Sequence, residues 1–185
     1  FQNWMPLEVY AQINHAHWSI ALECQIYLLF PLLVLLWRRV GGITTAIIAT
    51  VLGYGILITL ILLYHNFTDA CPHYIGLFGM GMLAATVGHD PKIREKGWHE
   101  RRFWIPTAFL LGGALLVGNM VLKERAYENQ HWFDLLAGVA SMCLLIGVGA
   151  SPNGVLNRLL SFRPLVAVGG YSYSIYLIHA PLLQI

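Results

Sequence analysis

The sequence predicts an all-α fold, a polytopic bundle of transmembrane helices. Hydrophobic residues make up 57% of the 185 residues and charged residues only 11%, against roughly 25% charged in soluble proteins. The apolar residues fall into six continuous runs, and the basic residues cluster in alternate connections between those runs. The bilayer is therefore the predicted solvent, and a formal net charge of +2 does not favour a nucleic-acid partner.

The six apolar runs are the predicted transmembrane spans. A helix needs roughly 20 mainly apolar residues to cross the ~30 Å hydrocarbon core, and the third run is short and rich in glycine. Helices are favoured over barrel strands because the runs do not alternate with polar residues. The predicted spans are 18–37, 43–63, 74–88, 104–122, 132–150 and 165–185.

Glycines within the spans predict close packing between helices, since small residues let backbones approach in lipid. They are Gly53, Gly55, Gly112, Gly113, Gly118, Gly138 and Gly147.

The distribution of basic residues predicts the orientation of the bundle. Nine of the eleven Lys and Arg residues fall in connections on one side, which the positive-inside rule makes cytoplasmic. Residues 1–17 contain no Lys or Arg and are then predicted to lie outside. The basic stretch 92–102 also suits an anionic ligand such as a nucleotide, although we favour a topology signal beside anionic lipid.

The sequence does not predict a metal site or a soluble-enzyme motif. Cys24, Cys71 and Cys143 lack CxxC spacing and lie in different segments, so we interpret them as small buried residues or a loop thiol. The chain has no GxSxG, P-loop or HExxH sequence.

Glu23 is the first candidate functional residue because it lies inside the first span. An ionisable group there costs roughly 2.5–3.5 kcal/mol on insertion scales, and such groups are usually functional. Ser19 and Tyr27 lie four residues on either side of it, so the three side chains share one helix face. Trp18 and Gln25 lie on another face. The alternative is a protonated glutamate that hydrogen-bonds between helices.

The last span carries a second polar face. Ser172, Tyr176 and His179 are spaced at i, i+4 and i+7, and Pro181 predicts a kink. From a cytoplasmic start near Leu165, His179 lies roughly 21 Å along the helix, at a depth similar to that of Glu23. We therefore predict one cavity with Glu23 and His179, able to hold a proton, orient a hydroxyl or bind a carbonyl. The alternative for His179 is a role at the membrane interface.

Other polar residues near the spans have a simpler interpretation. His15, His17, Asp69 and His73 are expected to be solvated loop or interface residues. Asp134, at the start of the fifth span, is expected to be an ordinary acid at a helix N-terminus.

Two segments of the chain resemble the acyltransferase-3 family of membrane acyltransferases. Residues 17–33 read HWSIALECQIYLLFPLL, similar to the family pattern WSL-x-x-E-x-Q-F-Y-L-L-x-P. Residues 169–183 read GGYSYSIYLIHAPLL, similar to its closing pattern G-x-x-S-Y-S-x-Y-L-x-H-x-P. The FGMGMLAA stretch at 78–85 also resembles the family's short middle span. Cys24 departs from the pattern, because a second Glu is common there.

The resemblance implies a partial acyltransferase domain over residues 1–185, with about six of roughly ten spans. The expected missing N-terminal spans would carry an Arg and a His implicated in catalysis, the His being the favoured base, and the last span is expected to be cut. This chain alone is therefore expected to be inactive.

The implied activity is transfer of an acyl group, typically acetyl, from acyl-CoA to a hydroxyl of a carbohydrate or similar acceptor. Acyl-CoA, with acetyl-CoA as the favoured form, would be the donor substrate, with no bound cofactor, and the bacterial inner (plasma) membrane the location. Glu23 and His179 would be catalytic. The residues expected to bind substrate are Trp18, Ser19, Gln25, Tyr27, Ser172 and Tyr176.

Two other classes of protein fit the same pattern. Polar faces at mid-depth also suit a non-enzymatic carrier for an acyl donor or lipid intermediate, or a sensor derived from the same fold. A helix bundle without a site is the third interpretation, and it leaves two matched polar faces unexplained.

Overall fold

A computed structural model describes residues 17–64, 70–95, 97, 102–123, 125, 126, 129–150 and 153–183. The described residues form helices without any strand, so the predicted all-α class is confirmed. The helices are α1 (His17–Val40), α2 (Gly42–Tyr64), α3 (Tyr74–His89), α4 (Pro91–Arg94), α5 (Trp104–Leu122), α6 (Gln130–Ala150), α7 (Val155–Leu160) and α8 (Arg163–Leu183).

Each of the six predicted spans forms a long helix, and α4 and α7 are short helices in the connections. Four of the long helices, α1, α2, α5 and α6, are long and apolar enough to cross a membrane. The third predicted span is again the short one, since α3 has 16 residues whereas α2 has 23. Large apolar side chains are exposed along these helices, Leu28 by 80% for example, which fits lipid as the surrounding solvent.

The hairpin between α1 and α2 turns at a single residue, Gly41, whose φ of 83° lies in the left-handed region. Glycine adopts that conformation without steric cost. Its amide donates a hydrogen bond to the carbonyl of Trp37 at 2.9 Å, which closes the end of α1. Arg38 and Arg39 lie in the last turn of α1, where positive charge complements the helix dipole.

The core of the bundle lies around α3, which packs against both α2 and α6. Gly76 faces the backbone of Thr50 on α2, where an added Cβ would lie 2.6 Å from the Thr50 Cα. Nearer the C-terminal end of α3, Ala84 and Val87 form a buried cluster with Ile146 of α6. Thus α3 is the central helix.

The predicted close packing at glycines is confirmed at four positions. Added Cβ atoms would come within 3.2 Å of another helix or of the segment before α3 at Gly53, Gly118, Gly138 and Gly147. At Gly55, Gly112 and Gly113, no described residue lies within 4 Å of an added Cβ.

The N-terminus of α3 lies deep in the bundle. An added Cβ on Gly53 would be 2.8 Å from the carbonyl oxygen of Pro72 and 3.0 Å from the Cα of His73. Gly53 is about 16 Å along α2 from Gly42 at 1.5 Å per residue, near the middle of a ~30 Å core. The segment before α3 therefore meets α2 at about half its length, well below the outer end of α2.

Cysteine labelling tests the predicted orientation. With Cys24, Cys71 and Cys143 replaced, Asn129→Cys is expected to react with a membrane-impermeant maleimide in intact cells, because it lies in a connection that the charge distribution predicts to be outside. Glu95→Cys, in the basic connection, is expected to react only after permeabilisation. Both positions are exposed. Reaction of Glu95→Cys in intact cells would show that the orientation is the reverse of the predicted one.

Candidate functional site

A histidine just before α3 and an aspartate on α6 form a largely buried pair inside the bundle. His73 precedes α3 and is 3% exposed. Its Nε2 lies 3.0 Å from Oδ2 of Asp134, near the start of α6, and the Asp134 side chain is 22% exposed. The other ring nitrogen, Nδ1, is buried and has no hydrogen-bond partner among the described residues.

Aromatic side chains surround this pair. The ring centroids of Tyr54 and Tyr74 lie 5.3 and 4.8 Å from that of His73. Tyr54 also stacks on Trp132 at 5.7 Å and donates its hydroxyl hydrogen to the carbonyl of His131 at 2.6 Å. Tyr54 thereby ties α2 to the first turn of α6 beside the His73–Asp134 pair.

Sequence local to His73 explains its depth. The chain passes Gly53 at a distance that a side chain there would prevent. The turn before α3 is closed by the amide of Tyr74, which donates to the carbonyl of Cys71 at 3.1 Å. Together these features hold His73 against α2 and beside the start of α6.

The expectation that His73 is a solvated loop residue is wrong, and Asp134 is more than a helix-start acid. The chain entering the short α3 descends into the bundle before the helix begins, so polar residues just before α3 become buried. The available signal was a span too short to cross the membrane, preceded by a histidine. Of the other expected loop residues, His15 and Asp69 lie outside the described residues, as does the side chain of His17.

The Glu23 face of α1 is partly buried. Glu23 is half-buried, and its carboxyl is within electrostatic range of the phenol of Tyr173 on α8. Ser19 and Gln25 are also half-buried, whereas Tyr27 is 61% exposed. The side chain of Trp18 lies outside the described part of the structure.

The polar residues of α8 differ in their environments. Ser172 is exposed and donates its hydroxyl hydrogen to the carbonyl of Gly169 in the same helix at 2.8 Å. Tyr176 is half-buried and interacts electrostatically with Tyr74. The His179 side chain is outside the described part, so a cavity shared by Glu23 and His179 stays a prediction.

Tyr74 connects the two polar regions. It is within electrostatic range of Asp134 on one side and of Tyr176 on the other. Tyr74 thus lies beside His73 and within electrostatic range of Tyr176, which sequence reasoning had treated separately. Phe30 and Phe78 meet edge-on at 5.8 Å and hold α1 beside α3.

A separate cavity of about 340 Å³ lies at the end of the bundle predicted to be cytoplasmic. It is mostly apolar, and none of the predicted site residues lines it. Its lining residues are Val40, Gly41, Gly42, Ile43, Thr44, Leu83, Thr86, Val87 and Ile93. Within the described ranges, no group of three His, Cys, Asp or Glu residues is placed to hold a metal ion.

Comparison with known proteins gives a family match over the whole chain. The model of a family described as an acyltransferase domain matches residues 1–185. The O-acetyltransferase OatA of Staphylococcus aureus (strain NCTC 8325 / PS 47) is 24% identical over 181 residues, which are 90% of this chain and 29% of that protein. The peptidoglycan O-acetyltransferase OatA of Listeria monocytogenes is 25% identical over 178 residues, covering 91% of this chain and 28% of that protein.

The chain spans less than a third of the length of these curated relatives. No solved structure matches it.

Proposed function

Because this chain belongs to the acyltransferase-3 family of acyltransferase domains, we propose that it is part of a membrane-bound enzyme that transfers an acyl group to a hydroxyl. The observation that supports this most is the presence of several polar side chains inside the bundle. They come from four helices: Glu23 from α1, His73 and Tyr74 from the N-terminus of α3, Asp134 from α6 and Tyr176 from α8. Ionisable groups inside a membrane are costly and rare, and they usually mark a functional site.

The proposed donor is an acyl-CoA, with acetyl-CoA as the first candidate. The proposed acceptor is a hydroxyl of a cell-envelope carbohydrate, at the bacterial inner membrane. The names of both relatives specify O-acetyl transfer, and that of the Listeria relative specifies peptidoglycan. Peptidoglycan fragments are therefore the first acceptors to test.

Acyl transfer requires that the hydroxyl be oriented towards the acyl carbonyl and relieved of its proton. We assign Glu23 the role of positioning or polarising groups at this level, with Ser19, Gln25 and Tyr27 beside it on α1. Trp18, Ser172, Tyr176 and His179 are proposed to line the substrate site. The half-buried position of Glu23 beside α8 supports this assignment.

A Glu23→Gln substitution tests the proposed function. In the full-length protein that carries this chain, we expect turnover of labelled acetyl-CoA into glycan to fall by a factor on the order of 100, the size of effect seen when one catalytic hydrogen-bonding group is removed. The measurement is label incorporated into glycan by membranes at matched expression.

The matched control is Cys24→Ala, one residue away and exposed, which should retain wild-type turnover. Wild-type rates in the Glu23→Gln variant would remove Glu23 from the mechanism. Absence of label with the wild type under all glycan acceptors would contradict the proposed activity.

A carrier is the second candidate function. Two features favour a carrier: α3 begins deep in the bundle on the predicted outer side, and an apolar cavity lies at the opposite end of α3. Together they would give a substrate access from both sides of the membrane. A carrier would move labelled donor across vesicle membranes without changing it chemically, whereas the enzyme would consume it.

A further inference from the structure

The hydrogen bond between His73 and Asp134 fixes the chemistry of the other edge of the imidazole. An ionised carboxylate only accepts hydrogen bonds, so the hydrogen shared with Asp134 then resides on Nε2. When the ring is neutral, Nδ1 keeps a lone pair and acts as an acceptor. It is this atom that is buried without a partner among the described residues.

A buried polar atom without a partner is uncommon, because the hydrogen bond it made with water is lost and not replaced. The depth of His73 is fixed by the close approach at Gly53, and Nε2 is satisfied by Asp134 at 3.0 Å. Nδ1 is therefore held ready for a group that can donate a hydrogen.

We propose that Nδ1 of His73 accepts a hydrogen bond from the hydroxyl of the acyl acceptor, and that Asp134 is the positioning residue that holds the ring for this contact. The proposal rests on the proposed function. The hydrogen-bonding partner of Nδ1 is the acceptor substrate and not the donor. An acyl thioester presents only accepting atoms at its carbonyl and cannot donate to a lone pair.

The location supports an acceptor that arrives from the outer side. Asp134 retains 22% exposure of its side chain, and α2 continues about 16 Å beyond Gly53 towards its predicted outer end. A glycan hydroxyl thus has to reach only about half the depth of the bilayer. Because Nδ1 is covered in this structure, we expect a flanking ring such as that of Tyr74 to turn as the acceptor binds, a motion that is fast compared with typical turnover.

Two substitutions of His73 separate the roles of its ring nitrogens. Gln places an amide nitrogen near the position of Nε2 and retains a donor towards Asp134, but it has no atom at Nδ1. Asn places an amide near the position of Nδ1 and does not reach Asp134. A residue that only packs or pairs with Asp134 should tolerate Gln better, whereas a residue that acts through Nδ1 should tolerate Asn better.

The experiment measures the KM for muropeptides and kcat in the full-length protein, together with muropeptide binding in nanodiscs without an acyl donor. We expect His73→Gln to raise the acceptor KM and weaken binding by on the order of tenfold, the effect of one lost hydrogen bond to a substrate hydroxyl. The KM for acetyl-CoA should not change. His73→Asn should lose less acceptor binding than His73→Gln. Size-exclusion chromatography checks that both variants are folded.

Each possible result either supports or overturns the assignment of Nδ1 to the acceptor hydroxyl. An unchanged acceptor KM in His73→Gln would overturn the hydroxyl site while leaving the proposed activity in place. Losses that are equal in the two variants, or greater in Asn, would show that His73 acts only through Asp134 and would also overturn it. If the wild type neither binds nor acylates muropeptides or other glycans, the proposed function and this site fail together.

Discussion

A side chain at Gly76 is expected to separate α2 from α3 and to destabilise the folded bundle strongly. An added Cβ would lie 2.6 Å from the Cα of Thr50 and 2.9 Å from its hydroxyl oxygen. The nearest atom belongs to the backbone of a packed helix, so it cannot move aside by rotation. We expect Gly76→Ala to cost about 1–3 kcal/mol and Gly76→Leu to prevent folding.

Gly55→Ala on α2 is the matched control. No described residue lies within 4 Å of the Cβ that this substitution adds, and Ala favours a helix over Gly by up to about 1 kcal/mol. Thermal unfolding in detergent, followed by the loss of the monodisperse peak, compares the two. Equal midpoints for Gly76→Ala and Gly55→Ala would show that the close contact between α2 and α3 is absent in the folded protein.

Asp134→Ala is expected to have a comparably large effect on stability. The substitution leaves His73, which is 3% exposed, without its partner at Nε2. Leaving a buried donor without its acceptor costs about 1–3 kcal/mol, and the nearly complete burial of His73 places the expected loss near the higher figure, about 3 kcal/mol. The measurement is the unfolding midpoint in detergent, converted through the free energy of unfolding.

The double variant Asp134→Leu with His73→Leu is the control for that loss. Replacing both members with apolar side chains removes the unpaired group and often costs little. We therefore expect the double variant to be more stable than Asp134→Ala alone. If the two single losses simply add in the double variant, His73 and Asp134 do not interact in the folded protein.

The positions of the long helices could be predicted from the sequence because lipid sets a simple requirement. Continuous apolar runs form helices, since each helix satisfies its own backbone in lipid. The predicted span at 104–122 coincides with α5, and the one at 43–63 differs from α2 by one residue at each end. The resemblance to the acyltransferase-3 family was likewise carried by local motifs, and the family match confirms it.

The His73–Asp134 pair could not be predicted because its members are 61 residues apart and neither lies in a recognisable motif. Their contact depends on how far the chain descends before α3 begins, and that depth is set by packing against Gly53. Periodicity reports which residues share a face of one helix, but it does not report the vertical offset between helices. The same reason separates Gly53, which meets a neighbour, from Gly55, which does not.

Burial matches the predicted face of α1 only in part, because Tyr27 on that face is 61% exposed. Glu23 and Ser19 share a face through helix geometry alone, and both are half-buried. The α8 residue in electrostatic contact with Glu23, Tyr173, lies outside the predicted face of Ser172 and Tyr176. The rotation of one helix relative to its neighbour depends on packing and cannot be derived from the spacing within a single helix.

The unequal lengths of α2 and α3 have a consequence for the choice of membrane. At 1.5 Å per residue the two helices measure about 34 and 24 Å, so no single hydrocarbon thickness matches both. The longer helix adapts to a thinner bilayer by tilting, whereas α3 is screened from lipid by α2 and α6. Acyl-chain length in the host lipid should therefore change the tilt of the peripheral helices. The position of His73 relative to α2 and α6 should stay unchanged, because contacts within the protein set it.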